Sequence, residues 1–467
     1  MGDRDVSPEQ VASAPEARLY YLLPGDPGAQ IQLVSEVCLL DATTYLYISF
    51  RGLDAYMTAI ISVDGEEKYF PEAHAVFLRG IVCSAAGRLG PDIMFWADGL
   101  DELTWEELMD DRQHNPPGII EHSIETCCVL GAPQSAASAE KAVDTLNCAR
   151  GHWNDACASV GATTDGSLFH LTVQQKLGIS KWLRDHGSED LEKTDESVWA
   201  GIEAIFLSAY WNSVECIAEI VLSRDVRMIW GDYYMTYETY ICAFRALTYL
   251  RHEKIPLKPC SVMGWQVAIA CCNMRYVHQQ SGGVDLRRML QIARLCPSAS
   301  NLHPKVMIAT MLSFSKPWGR CPIPPSITFS SVASVEQFFI DTARYIILDR
   351  QDLSIWDQER PPCTKRINGI PTWVPDFSAD AAQRGVQFPV RTGLQVWGDY
   401  FMRAHKNIRI SNENHLIVQA RGIDNIKRFS PIFNAWNAAR ICLDLYENLQ
   451  SPMNEPQILW FALVDRL

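Results

Sequence analysis

The chain has 467 residues, 48% hydrophobic and 21% charged, an ordinary globular composition with length for roughly two to three domains. Its formal net charge of −14, with Lys and Arg scattered along the chain, argues against nucleic-acid binding, because phosphate recognition needs a basic face. Fifteen cysteines, thinly spread and odd in number, with an acidic N-terminus and no Asn-x-Ser/Thr acceptor, predict free thiols in a reducing cytoplasm.

Residues 1–17 read as a polar arm. From Tyr20 to about Ala132, short β-rich runs alternate with helical patterns. "TTYLYISF" (Thr43–Phe50) is aromatic and β-branched and ends at Arg51-Gly52, so it reads as a strand. "TAIISVDGEEKYF" reads as strand, Asp-Gly turn, strand. "EAHAVFLRGIVCSAAG" has helical spacing and stops at a glycine. "PDIMFWADGL" and "TCCVLGAP" are short continuous apolar runs of the kind buried on both faces of a sheet. Buried strands separated by helices predict an α/β fold with a parallel sheet.

From Ser135 to Phe314 the pattern is mainly helical. "SAEKAVDTLNCARGHW" reads as a helix capped by Ser138, and "DESVWAGIEAIFLSAYWNSVECIAEIVLS" as two helices broken near Tyr210. A short strand, a Gly-Asp turn and a helix started by Thr236 come next. "DLRRMLQIARLCPSAS" and "KVMIATMLSF" add two helices around a polar loop. The proline-rich "KPWGRCPIPPSI" marks a boundary; beyond it lie a helix over Ser331–Asp349 and a hairpin over Ile408–Ile426. No apolar run approaches the ~20 residues that a membrane span requires.

Motifs with assignable chemistry are missing. There is no phosphate-binding loop, dinucleotide glycine turn, nucleophile elbow, His-Glu-x-x-His or Cys-x-x-Cys, so neither a metal nor a cofactor is expected. Cys127-Cys128 and Cys271-Cys272 read as core packing, and His170, His252 and His303 stand isolated.

One string is more distinctive. Pro371-Thr372-Trp373-Val374-Pro375-Asp376-Phe377-Ser378 resembles the late Pro-Ser-Trp-Val-Pro-Asp-Trp-Ser box of fungal heterokaryon-incompatibility (HET) domain proteins. Phe206–Glu238 is similar to a further block of that family, with Tyr210-Trp211, Glu219, Leu222 and Gly231 in matching places. Ala299–Phe314, with Lys305-Val306, and "HLIVQARGIDNI" resemble later blocks. The two N-terminal blocks are eroded: Tyr45–Gly52 keeps its order but lacks the family's Trp, and Phe95-Trp96-Ala97-Asp98-Gly99-Leu100 lacks the Cys-Ile-Asn-Gln that should come after it. The resemblance spans about residues 18 to 430 by the order of its segments.

It implies a flavodoxin-like sheet distantly similar to TIR signalling domains, and a cytoplasmic protein of fungal nonself recognition and cell-death signalling. The expected organisation is an arm (1–17), a HET-like α/β domain (18–235), a helical extension (236–316) and a small α+β C-terminal region (317–467). Some TIR domains cleave NAD with a glutamate, which leaves an enzymatic role open, although the eroded motifs lean against one.

The candidate site residues are those at strand ends, where ligands of open α/β sheets bind. Asp98 ends an inferred strand, and Ser49, Arg51 and Gly52 end another and could line the same crevice or form a plain turn. Glu219 either enters that crevice or pairs with a nearby arginine such as Arg224 or Arg227. Glu106-Glu107 read as a solvated helix face or as carboxylates for nucleotide-glycoside chemistry, and Trp373 between its prolines as a structural clamp. Three classes remain open: an interaction and signalling module whose partners are proteins, including copies of itself; a TIR-like NAD or nucleotide glycohydrolase; and a degenerate, non-enzymatic paralogue that only binds partners.

Overall fold

The computed structural model describes residues 15–23, 29–53, 57–84, 93–97, 100, 116–133, 135–164, 171–187, 195–251, 262–293, 296, 304–316, 323–327, 333–350, 370–371, 374–377, 408–410 and 416–418. The chain falls into two compact units. The larger holds the described residues up to Lys316 together with Ile327 and Phe377; the smaller holds most of the residues beyond Lys316.

In the larger unit the strands are β1 (Glu16–Leu22), β2 (Gln32–Leu39), β3 (Tyr45–Ser49), β4 (Thr58–Val63), β5 (Glu66–Pro71), β6 (Met94–Ala97), β7 (Glu125–Gly131), β8 (Val226–Trp230) and β9 (Tyr233–Thr236). Among the described residues these nine form one sheet in the order β5-β4-β2-β1-β6-β3-β7-β8-β9. The expected parallel sheet is its centre: β6, β3, β7 and β8 run parallel. The whole sheet is mixed, because β1 joins β6 and β2 antiparallel and the hairpins β4–β5 and β8–β9 close the two ends.

The local reasons are visible in the sequence. Every residue of β3 is buried, and so are Thr126–Leu130 of β7, matching the unbroken apolar runs of strands covered on both faces. The β4–β5 turn is made by Asp64 and Gly65 at φ 55° and 86°, the left-handed pair that a tight hairpin requires. Tyr233–Thr236 is a strand paired with β8, where the sequence suggests only a turn leading into a helix; its four residues are too few to show alternation.

The helices are α1 (Glu72–Ser84), α2 (Pro116–His122), α3 (Ala136–Ser159), α4 (Val173–His186), α5 (Glu196–Phe206), α6 (Glu215–Leu222), α7 (Tyr237–Arg251), α8 (Val262–Ser281), α9 (Leu286–Ala293) and α10 (Pro304–Ser313). The cap of α3 is Ser135, not Ser138, whose hydroxyl bonds back to the Ser135 carbonyl inside the first turn. α4 begins with a full capping box, Thr172 to Gln175. A 3₁₀ turn, Ala209–Asn212, provides the break near Tyr210 between α5 and α6.

One sheet face carries Leu46, Ile48, Phe50, Phe95, Cys127, Val129 and Ile229, packed with Ala75 and Leu78 of α1 into an apolar core. The opposite face carries Tyr45, Tyr47, Ser49, Trp96, Thr126 and Cys128, and it is polar at its margins. There the Tyr45 hydroxyl donates to the Ile119 carbonyl of α2 at 2.5 Å, and Ser223 meets Thr126 at 2.5 Å. α6 lies over this face with all eight of its residues buried, and α8 packs along α6. α3 packs against α4, α5 and α7.

The smaller unit contains α11 (Val335–Arg350), which starts four residues later than the expected helix and ends one residue beyond it, and the antiparallel pair β10 (Ile408–Ile410) and β11 (Leu416–Val418), which fall within the expected hairpin. Among the described residues no single helix is long and apolar enough to cross a membrane. The pieces Glu196–Asn212 and Glu215–Leu222 pass that test only together, bent by 106°.

Candidate functional site

The site forms where β3 and β7 end side by side. From β3 the chain leaves toward β4, on the β6 side of the sheet, and from β7 it passes to β8 on the opposite side. Connections therefore diverge at these carboxyl ends, and such a divergence opens the crevice in which α/β sheets bind ligands. The two strand tips cross very closely. A Cβ on Gly52 would lie 2.1 Å from the Val129 carbonyl oxygen, so only glycine fits. Gly131, at φ 118°, takes a conformation that other residues rarely adopt.

Just before this crossing, Arg51 leaves β3 and turns toward α6. Its Nε donates to Glu219 Oε1 at 3.0 Å, and its Nη1 lies 3.5 Å from Glu215 Oε1. Glu215 and Glu219 are one helical turn apart, so both carboxylates present to the same guanidinium. The Tyr47 hydroxyl donates to the same Glu219 oxygen at 3.4 Å, and Ser213 donates to Glu215. The Glu219 side chain is 0% exposed and the Glu215 side chain 6%, while that of Arg51 keeps 21% open. Two carboxylates are thus held in a dry layer by one guanidinium and neutral donors.

Around the triad the layer is aromatic and sulfur-rich. Tyr47 stacks on Trp96 at 4.8 Å. The Tyr210 hydroxyl donates to the Cys128 thiol at 3.0 Å. Burial first, and then the Glu219 charge, push the Cys128 thiol well up. Burial likewise dominates the rise at Tyr210, with Cys128 and then Glu219 adding to it. Both groups stay protonated, so neither is an activated nucleophile. The Ser49 hydroxyl is fully buried and lacks a hydrogen-bond partner. Arg275 of α8 holds the end of α6, donating to the carbonyls of Ile220, at 2.8 Å, and of Ser223 and Arg224.

Of the sequence-derived candidates, Ser49, Arg51 and Gly52 sit together at the tip of β3, and Glu219 meets Arg51 directly. Glu219 pairs with neither Arg224 nor Arg227. Arg227 lies in register with Cys127, on the other face of the sheet, and binds Glu125 there at 2.9 and 2.8 Å. Asp98, Glu106, Glu107 and Trp373 lie outside the described residues, while Val374, Asp376 and Phe377 of the Trp-containing box are buried. Tyr47 and Glu215 belong to the site and are absent from the sequence-derived set. Tyr47 shares a strand face with Ser49, and Glu215 precedes Glu219 by four, spacings that would have pointed to both.

Among the described residues no group of three or more His, Cys, Asp or Glu could hold a metal ion. No protein-family model, curated protein or solved structure matches this chain.

Proposed function

We propose that this chain is a HET-like protein of fungal nonself recognition and cell-death signalling, cytoplasmic, and acting mainly through protein interaction. Two features support the kinship. The four parallel strands, taken in chain order, lie as second, first, third, fourth, the arrangement of a flavodoxin-like or TIR-like sheet. The residues of the triad also come from the two segments that resemble family blocks, Tyr45–Gly52 and Phe206–Glu238.

The ion pair between Arg51 and Glu219, at 3.0 Å, carries the non-enzymatic reading. The Glu219 charge is held by a cation of the same chain, and its side chain has no exposure of its own. A carboxylate so engaged is a poor base or nucleophile until its partner leaves. The triad then acts as an anchor that fixes α6 to the sheet. Purified full-length protein is expected to leave NAD unconsumed, while its expression in a fungal host triggers death. NAD turnover would overturn the reading, and a silent host would favour the degenerate paralogue.

A second reading rests on the exposure of Arg51. With 21% of its side chain open, the guanidinium can swing out and bare Glu219 at the strand divergence, the geometry that a TIR-like glycohydrolase would use. Arg51→Ala that gains NAD cleavage, lost again in Arg51→Ala/Glu219→Gln, would establish it.

A further inference from the structure

On the outer side of α3, away from the strand-tip layer, Cys148 and His152 stand one turn apart, with Sγ 3.5 Å from Nε2. We propose that this thiol–imidazole pair is a modification site, at which Cys148 is the most reactive thiol of the described residues toward small disulfides and His152 takes its proton.

Three observations carry this. First, Cys148 is the one exposed cysteine among the described residues; Cys38 is half-buried and the other eight are buried. Second, several of the buried thiols are held protonated. Desolvation pushes Cys127 up to about 12, and it also raises Cys128, Cys216, Cys242 and Cys271. Third, the imidazole is positioned by its surroundings. The His152 ring lies 6.2 Å from the Trp182 ring of α4, and His186 stacks on Trp182 at 4.8 Å. His186 is itself fixed, Nδ1–H donating to the Trp182 carbonyl at 3.0 Å. A nucleophile in contact with a base that other groups orient is the arrangement that activates a thiol near neutral pH.

The chemistry is thiol–disulfide exchange. The Cys148 proton moves to His152 Nε2, and the thiolate attacks one sulfur of the small disulfide. The S–S bond breaks as the new one forms, and the departing thiolate takes the proton from His152. One disulfide is consumed and one made, with no further oxidant. The chain's net charge of −14 disfavours anionic disulfides, so the suitable probe is neutral.

The test treats full-length protein with 2-hydroxyethyl disulfide and tracks adducts peptide by peptide by mass spectrometry across pH. Cys148 should react ahead of the other nine described cysteines, and Cys148→Ser should remove that first adduct. His152→Gln should slow the Cys148 reaction about fivefold at neutral pH, the rates converging at alkaline pH, where the thiolate forms unaided. In urea the preference for Cys148 should vanish. Faster reaction at any of those nine in the folded chain, an unchanged rate–pH profile in His152→Gln, or a preference that persists in urea would overturn the proposal.

Discussion

Arg51 and Glu219 are 168 residues apart in sequence and 3.0 Å apart in space, one at a strand tip and the other on a helix with no exposed residue. Removing the cation alone strands two carboxylates in the layer, and breaking a buried pair from one side costs about 3–5 kcal/mol, toward the lower end here because Arg51 is partly solvated. Arg51→Met is therefore expected to shift urea unfolding strongly. Glu219→Gln leaves Arg51 its second carboxylate, Glu215, and should cost about half as much. The double variant should be more stable than Arg51→Met alone. Additive losses would mean that the contact is not energetically coupled.

The crossing at Gly52 makes a sharper prediction. A methyl group 2.1 Å from the Val129 oxygen meets backbone, not a flexible side chain, so β3 and β7 would have to separate. Gly52→Ala is expected to destabilise by about 3 kcal/mol or more, the scale of overpacking against rigid neighbours. Gly65→Ala, which meets nothing within 4 Å at φ 86°, should cost only the ~1 kcal/mol of left-handed strain. Thermal unfolding of the two variants side by side checks the order.

The same contrast explains what was legible in the sequence. The Asp64-Gly65 hairpin and the buried strands at Tyr45–Ser49 and Glu125–Gly131 announce themselves locally, through turn chemistry and continuous apolar runs. The antiparallel strands that make the sheet mixed, β1 and β2, give no such sign of direction, because pairing sense depends on the route of the connections. The partner of Glu219 was hidden for a related reason. Helical and strand spacing nominate neighbours such as Arg224 and Arg227, whereas the sheet face decides, and Arg227 falls on the wrong one. Ser49, Arg51 and Gly52 were findable because strand ends are marked by composition, yet which helix covers them is a tertiary fact.

His74 sets a pH dependence. Its ring stacks on Phe50 at 4.7 Å and meets Phe70 edge-on, neither nitrogen has a hydrogen-bond partner, and burial lowers its pKa to about 4. The folded value lies below the unfolded one, so in the window between the two the unfolded chain binds a proton that the folded chain refuses. Stability from this residue is complete above the unfolded value, near pH 6.5, and declines as pH falls toward 4. With the ring partly open to water, the loss is on the order of 2 kcal/mol. His74→Phe should flatten that part of the stability–pH curve; an unchanged slope between pH 6.5 and about 4 would show that the ring is protonated while folded.

Arg275 extends the argument to the far end of α6. Its guanidinium donates to the carbonyl of Ile220, which the last turn of a helix leaves without a partner, and to those of Ser223 and Arg224 just beyond the helix end. A cation there also opposes the negative end of the helix dipole. Because α6 bears Glu215 and Glu219 on the same rigid turns, loosening its end should disturb the Arg51 contact as well. Arg275→Met is expected to cost about 2–3 kcal/mol, since several carbonyls lose a charged donor at once. Arg275→Lys, a single point of charge without the planar fork, should recover less than half of that. The deciding measurement is a double-mutant cycle between Arg275→Met and Arg51→Met: a coupling above about 0.5 kcal/mol means that α6 moves as one body, and additivity means that its two ends are held independently.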